Sequence, residues 1–173
     1  MRIRLLISMF AVVVLSGCAG QAPQRPSQRM GEAPQPDSTT LAVMNLNQQL
    51  AISADKLLAQ YVQSLDEQYA LYDAGTWIHV IDRGEEDGLM PKYGEEWTIA
   101  MRTYNLEGKL LVDSAKSYVI GKQELPLAIE VNIREFHRGA QVRMIAPWYA
   151  AYGLKGTEEV PPYENVIIEI ELK

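Results

Sequence analysis

After Asp73-Ala74-Gly75 the sequence breaks into short β-prone runs separated by turn residues, and this punctuation constrains the fold more than any other feature. The runs are Trp77 to Ile81, Glu96 to Arg102, Lys109 to Val112, Ala140 to Ala146 and Val166 to Leu172. In the last, Val166, Ile168, Ile170 and Leu172 alternate with Ile167, Glu169 and Glu171, so one face is apolar and the other turns charged. That pattern suits an antiparallel sheet with one covered face. Between Gln123 and Phe136, the residues Leu125, Ala128, Ile129, Ile133 and Phe136 are spaced for a short helix that could supply the cover. The expected fold class is α+β: an antiparallel sheet wrapped around a short helix, spanning residues 73–173.

Upstream, Leu50, Ala54, Leu57, Tyr61 and Leu65 recur at helical spacing, with Leu58, Val62 and Tyr69 widening the stripe. A helix from about Asn45 to Gln68, within residues 41–72, is therefore expected. Its apolar stripe fits two uses: packing on its own domain, or docking against a second copy of the chain or another partner. Residues 18–40 are rich in Gln, Pro, Ser and Gly and poor in large apolar side chains, the composition of a flexible tether.

Residues 1–17 read as a secretory signal, with Arg2 and Arg4 ahead of an apolar stretch from Leu5 to Leu15 that is too short to span a bilayer. Leu15-Ser16-Gly17-Cys18 resembles the bacterial lipobox, which implies acylation of the Cys18 thiol and a membrane anchor. No acidic residue follows Cys18 until Glu32, and by resemblance to lipoprotein sorting signals this implies the outer membrane, with the domain facing the periplasm.

The net charge of −6 gives no general attraction to phosphates, which argues against a nucleic-acid partner. One cysteine cannot form an internal disulfide or a zinc site built on cysteine pairs. His79 and His137 stand in no metal-ligand spacing and read as sheet or turn residues. Trp77 and Trp97 fall on β-prone runs and read as core or sheet residues, while Trp148 fits a rim contact or simple packing. There is no nucleophile elbow and no phosphate-cradling glycine loop, so no metal or cofactor is expected. Activity in such a chain would depend on shape and electrostatics in an apolar cleft.

The segment Met144-Ile145-Ala146-Pro147-Trp148-Tyr149-Ala150-Ala151-Tyr152-Gly153, followed by Val160-Pro161-Pro162-Tyr163 and Val166 to Leu172, closely resembles the C-terminal signature of FKBP-type peptidyl-prolyl isomerases. Leu106-Glu107-Gly108-Lys109, Val112-Asp113-Ser114 and Val119-Ile120-Gly121-Lys122-Gln123-Glu124 are similar to the same family in the same order. With the helix and lipobox, the chain is most similar to the FKBP-type lipoproteins associated with gliding motility in Bacteroidetes.

The resemblance implies cis–trans isomerisation of X-Pro bonds in exported proteins, or, in a catalytically weak member, a chaperone or binding module of an envelope assembly. It assigns catalytic roles to Asp113, at the cleft edge, and to Tyr152, whose hydroxyl would donate to the substrate backbone. Met101, Val112, Tyr118, Leu125, Pro126, Ile129, Val160 and Ile168 would bind substrate. Several depart from the family pattern: Ile129 stands where it has tryptophan, Val112 and Ile168 where it has phenylalanine, and Met101 where it has tyrosine. Pro126 falls where the family uses a backbone N–H, which proline lacks. The implied cleft is aliphatic rather than aromatic.

Overall fold

The computed structural model describes residues 37–173. The signal sequence, the lipobox with Cys18, and nearly all of the expected tether lie outside the described residues. Helix α1 spans Ser38–Gln63, and strands β1 (Ala70–Leu71), β2 (Trp77–Asp82), β3 (Glu96–Asn105) and β4 (Leu110–Val119) follow. Helix α2 (Leu127–Asn132) then precedes β5 (Gln141–Ala146) and β6 (Val166–Leu172). The six strands form one antiparallel sheet in the order β1-β2-β5-β6-β3-β4.

Successive side chains on a strand face opposite sides, so the ladder pairs sort the sheet into two surfaces. On one side lie Ile78, Val142, Met144, Ile168, Ile170, Ile99 and Met101, packed with Ala128, Ile129 and Ile133 of the α2 region into the main core. This is the α+β arrangement expected from the alternation in β6. Helix α2 is shorter than the apolar spacing suggested because Pro126 stands immediately before it and lacks the N–H a preceding turn would use. The chain continues as a 3-10 turn at Ile133–Glu135.

On the other side of the sheet, Ile145, Ile167 and Trp77 form a second cluster with Leu58, Val62, Tyr61 and Leu65 from α1 and the segment after it. The helix therefore packs on its own domain, through Ala54, Leu58 and Val62, at i, i+4 and i+8. Leu50 and Leu57, expected on the seam, are instead 37% and 46% exposed, because the seam is rotated toward Leu58. Helix α1 also starts and stops earlier than expected. It begins directly after Asp37, a residue type suited to a helix start, and ends where Ser64 Oγ donates to Tyr61 O at 2.6 Å. Beyond that turn, Tyr69 stacks against His79 of β2 with centroids 5.4 Å apart.

Strand β4 runs seven residues past the expected Val112. It is the sheet's outer edge, where Asp113, Lys116 and Ser117 face water and hide the strand pattern.

Candidate cleft at Tyr152

Strand β3 presents Trp97, Ile99, Met101 and Thr103 to the core, all at most 7% exposed. Opposite them on β4, Val112 pairs with Thr103 and Tyr118 with Trp97. Leu125 comes from the segment before α2, Ile129 from α2 itself, and Ile168 from β6. Val160 closes the group from the loop between β5 and β6, and with Met101, Leu125, Ile129 and Ile168 it belongs to one buried apolar cluster. Val112, Tyr118 and Tyr152 pack on this cluster half-buried, at its surface. The structure thus brings together eight of the expected residues: Met101, Val112, Tyr118, Leu125, Ile129, Tyr152, Val160 and Ile168. Pro126 is adjacent, and its carbonyl accepts from Ile129 and Glu130 at 2.9 and 3.0 Å.

The polar centre is a pair of hydroxyls. Tyr152 Oη lies 3.0 Å from Thr103 Oγ1, and Thr103 is fully buried. Burial is the main cause that holds the Tyr152 phenol above its ordinary pKa, with Tyr118 and Glu159 raising it further and the Thr103 hydrogen bond opposing them. Tyr152 is therefore a neutral donor throughout the physiological range. Thr103 was not among the residues singled out from sequence, although the Trp97-Ile99-Met101 alternation extends to it.

Asp113 is not part of this group, which corrects the role the resemblance assigned. Arg102 pairs with Asp113 and Thr103 with Val112, and these are neighbouring rungs of one ladder. Neighbouring rungs face opposite sides of a sheet. With Thr103 turned to Tyr152, Asp113 points to the other surface, where its carboxylate lies 3.6 Å from Arg102 Nε and is 59% exposed. There it borders an open groove of about 430 Å³ with Arg102, Gln141, Glu169 and Lys173, on the face away from the cleft.

The loop carrying Tyr152 and Val160 is built tightly. Ala150 and Ala151 N–H both donate to Pro147 O, and Gly153 N–H to Trp148 O at 2.8 Å. Trp148 N–H donates to Asn165 Oδ1 at 2.9 Å, and the indole, 7% exposed, packs tilted against Tyr163 at 4.9 Å and edge-on against Tyr149 at 5.6 Å between centroids. Trp148 is thus packing rather than rim. Gly156 has φ +64, and a Cβ there would collide with Val160 O, so the turn that delivers Val160 requires glycine. Thr157 Oγ1 accepts from Val160 N–H at 3.1 Å and fixes the same turn.

The histidines serve the scaffold: His79 Nδ1 lies 2.8 Å from Gln68 O and His137 Nδ1 2.9 Å from Gly88 O. Among the described residues, no group of three His, Cys, Asp or Glu could hold a metal ion, and no helix is long and apolar enough to cross a membrane.

An antiparallel sheet wrapped on a short helix, with a tyrosine loop over its apolar face and a helix ahead of it, is the FKBP-like α+β fold. Among solved structures the chain is similar to a peptidyl-prolyl cis-trans isomerase from Pseudomonas syringae pv. tomato, at 17% identity and TM-score 0.60, covering 72% of this chain and 92% of that one. It is also similar to FkpA from Escherichia coli, at 15% identity and TM-score 0.60, covering 98% of this chain and 70% of that one. No family model and no curated protein matches the sequence.

Proposed function

We propose that the chain is a peptidyl-prolyl cis–trans isomerase whose cleft is the apolar surface beneath Tyr152. Cys18 anchors it by lipid in the outer membrane, and its substrates are proline-containing segments of exported envelope proteins. The observation that carries this reading is the Tyr152–Thr103 hydroxyl pair set over an apolar cluster of Met101, Leu125, Ile129, Val160 and Ile168. Trans and cis X-Pro forms differ by only about 0.5–1 kcal/mol, yet rotation about the resonant amide faces a barrier of about 18–20 kcal/mol. A site lowers that barrier when it holds the twisted amide better than either planar form. The buried floor removes water from the imide, whose planar form is the more polar, and the Tyr152 hydroxyl donates to a substrate carbonyl to fix the turn. No proton leaves or joins the substrate, so no acid, base, metal or cofactor is required.

The similarity in fold to a solved peptidyl-prolyl cis-trans isomerase supports the activity, and the lipobox and the likeness to motility-associated lipoproteins support the envelope setting. The test is the isomerisation rate of proline tetrapeptides that differ in the residue before proline. Acceleration that falls several-fold in Tyr152→Phe supports the reading, and no acceleration by the folded protein overturns it. One observation favours a second reading, a binding module with little turnover: Ile129, Val160 and Ile168 are fully buried, so a proline ring meets the half-buried border of Val112, Tyr118 and Tyr152 rather than the floor. Tight peptide binding without rate acceleration would identify that case.

A further inference from the structure

The loop that carries Tyr152 has two faces, and its back is tied to helix α1. Tyr149 Oη donates to Asp55 Oδ1 at 2.5 Å, and Tyr163 Oη donates to Asn47 Oδ1 at 3.3 Å. Tyr149 and Tyr163 are the two rings that pack against Trp148, one edge-on and one tilted. Asn47 and Asp55 are two turns apart on α1, about 12 Å along its axis, and lie on the side that seats Ala54, Leu58 and Val62 on the sheet. The aromatic trio is thus gripped at both ends by one rigid element. Its other side continues directly into Tyr152, three residues beyond Tyr149, and Tyr163 N–H closes the loop on Gly153 O at 3.2 Å. Gly75 adds to the arrangement: it has φ +69, and a Cβ there would lie 2.5 Å from Tyr149 Oη, so only glycine leaves that hydroxyl room to reach Asp55.

We propose that Asp55 and Asn47 of α1 are positioning residues for the cleft, holding the 148–163 loop in the register that seats Val160 in the apolar cluster and presents Tyr152 to substrate. Helix α1 is then a working part of the site rather than an arm beside it. The proposal rests on the reading of Tyr152 as substrate-facing. Both act through the Tyr149-Trp148-Tyr163 trio. Free of α1, that trio would retain its ring contacts but lose the two anchors that fix where it stands over the sheet.

The experiment is amide hydrogen exchange on the whole chain, comparing wild type with Asp55→Ala/Asn47→Ala, Asp55→Asn and Tyr149→Phe, alongside prolyl-peptide kinetics. Exchange at Gly153 and Tyr163 is expected to rise about tenfold in the double variant while the β6 amides stay protected. Asp55→Asn keeps the acceptor and recovers most of the protection. In the kinetics, the double variant raises KM several-fold more than it lowers kcat, because a wandering loop binds substrate less well. Unchanged loop exchange in the double variant and in Tyr149→Phe overturns the proposal. If the double variant also loses β6 protection, Tyr149→Phe, which leaves α1 intact, decides alone. If wild type accelerates no peptide, the proposed function fails, while the exchange data still settle whether α1 orders the loop.

Discussion

Replacing Tyr152 with phenylalanine removes one oxygen, and the structure dictates what that costs. The hydroxyl left behind belongs to Thr103, which is fully buried on β3 and has Tyr152 as its side-chain partner. A buried polar group stripped of its partner costs about 1–3 kcal/mol. The reverse change, Thr103→Val, leaves the Tyr152 hydroxyl on a half-buried ring that can turn to water, at about 0.5–1.5 kcal/mol. The double variant leaves two apolar groups in contact, so it should be more stable than Tyr152→Phe alone. For a folding unit of about 130 residues, unfolding entropy is roughly 0.28 kcal/mol/K, and 1–3 kcal/mol becomes a drop in Tm of about 4–11 °C. Thermal and urea unfolding of the four proteins completes a double-mutant cycle. Additive losses, or a Tyr152→Phe variant within about 1 °C of wild type, would refute the pairing as the organiser of the cleft.

Three further outcomes are expected. Leu58→Ala empties a fully buried position between α1 and Ile145 and should cost about 2–5 kcal/mol in urea unfolding, whereas a helix only loosely laid on the sheet would lose under about 1 kcal/mol. Asp113→Ala removes an exposed partner of Arg102 and should change stability by less than about 0.5 kcal/mol, with prolyl-peptide turnover unchanged; a collapse in turnover would return Asp113 to the site. Burial raises the phenol pKa of Tyr69, Tyr149 and Tyr152, with Asp55 adding to the effect at Tyr149. Unfolded tyrosines ionise near pH 10, so this contribution to stability is complete below that pH and is lost as pH rises through the higher folded values. The urea midpoint should therefore decline above about pH 10, less steeply in Tyr149→Phe, and parallel declines in the two proteins would contradict the assignment.

How much of this was legible in the sequence depended on whether a residue's environment is set locally. Strand β6 was readable end for end because its alternation is enforced on both sides by β5 and β3. Strand β4 was half-hidden because an edge strand needs no apolar partner on its free side, and Asp113 to Ser117 carry none. The helix was visible from its spacing, but its seam was not, because Leu50 and Leu57 are as apolar as Leu58 and only the shape of the Ile145–Ile167–Trp77 surface chooses between them. The misplacement of Asp113 has the same origin. Strand phase decides which face a residue takes, and a register shift beside Thr103 and Tyr104 resets the phase just ahead of the Val112–Asp113 pair.

The composition of the cleft follows from the chemistry it is proposed to perform. Twisting an amide moves no proton, so a charged group at the floor would contribute only a desolvation cost. The polar contact at the apolar cluster under Tyr152 is the Tyr152–Thr103 hydroxyl pair, while the buried Glu130 carboxylate of α2 accepts from Gly121 N–H. With Ile129 and Ile168 as its floor, the cluster offers a proline ring no aromatic edge or face contact there, each of which contributes about 0.5–1.5 kcal/mol. What selects the twisted amide must then come more from the geometry of the loop above than from the floor below. That shifts the burden onto Tyr152, and through Trp148 onto the helix that holds its loop in place.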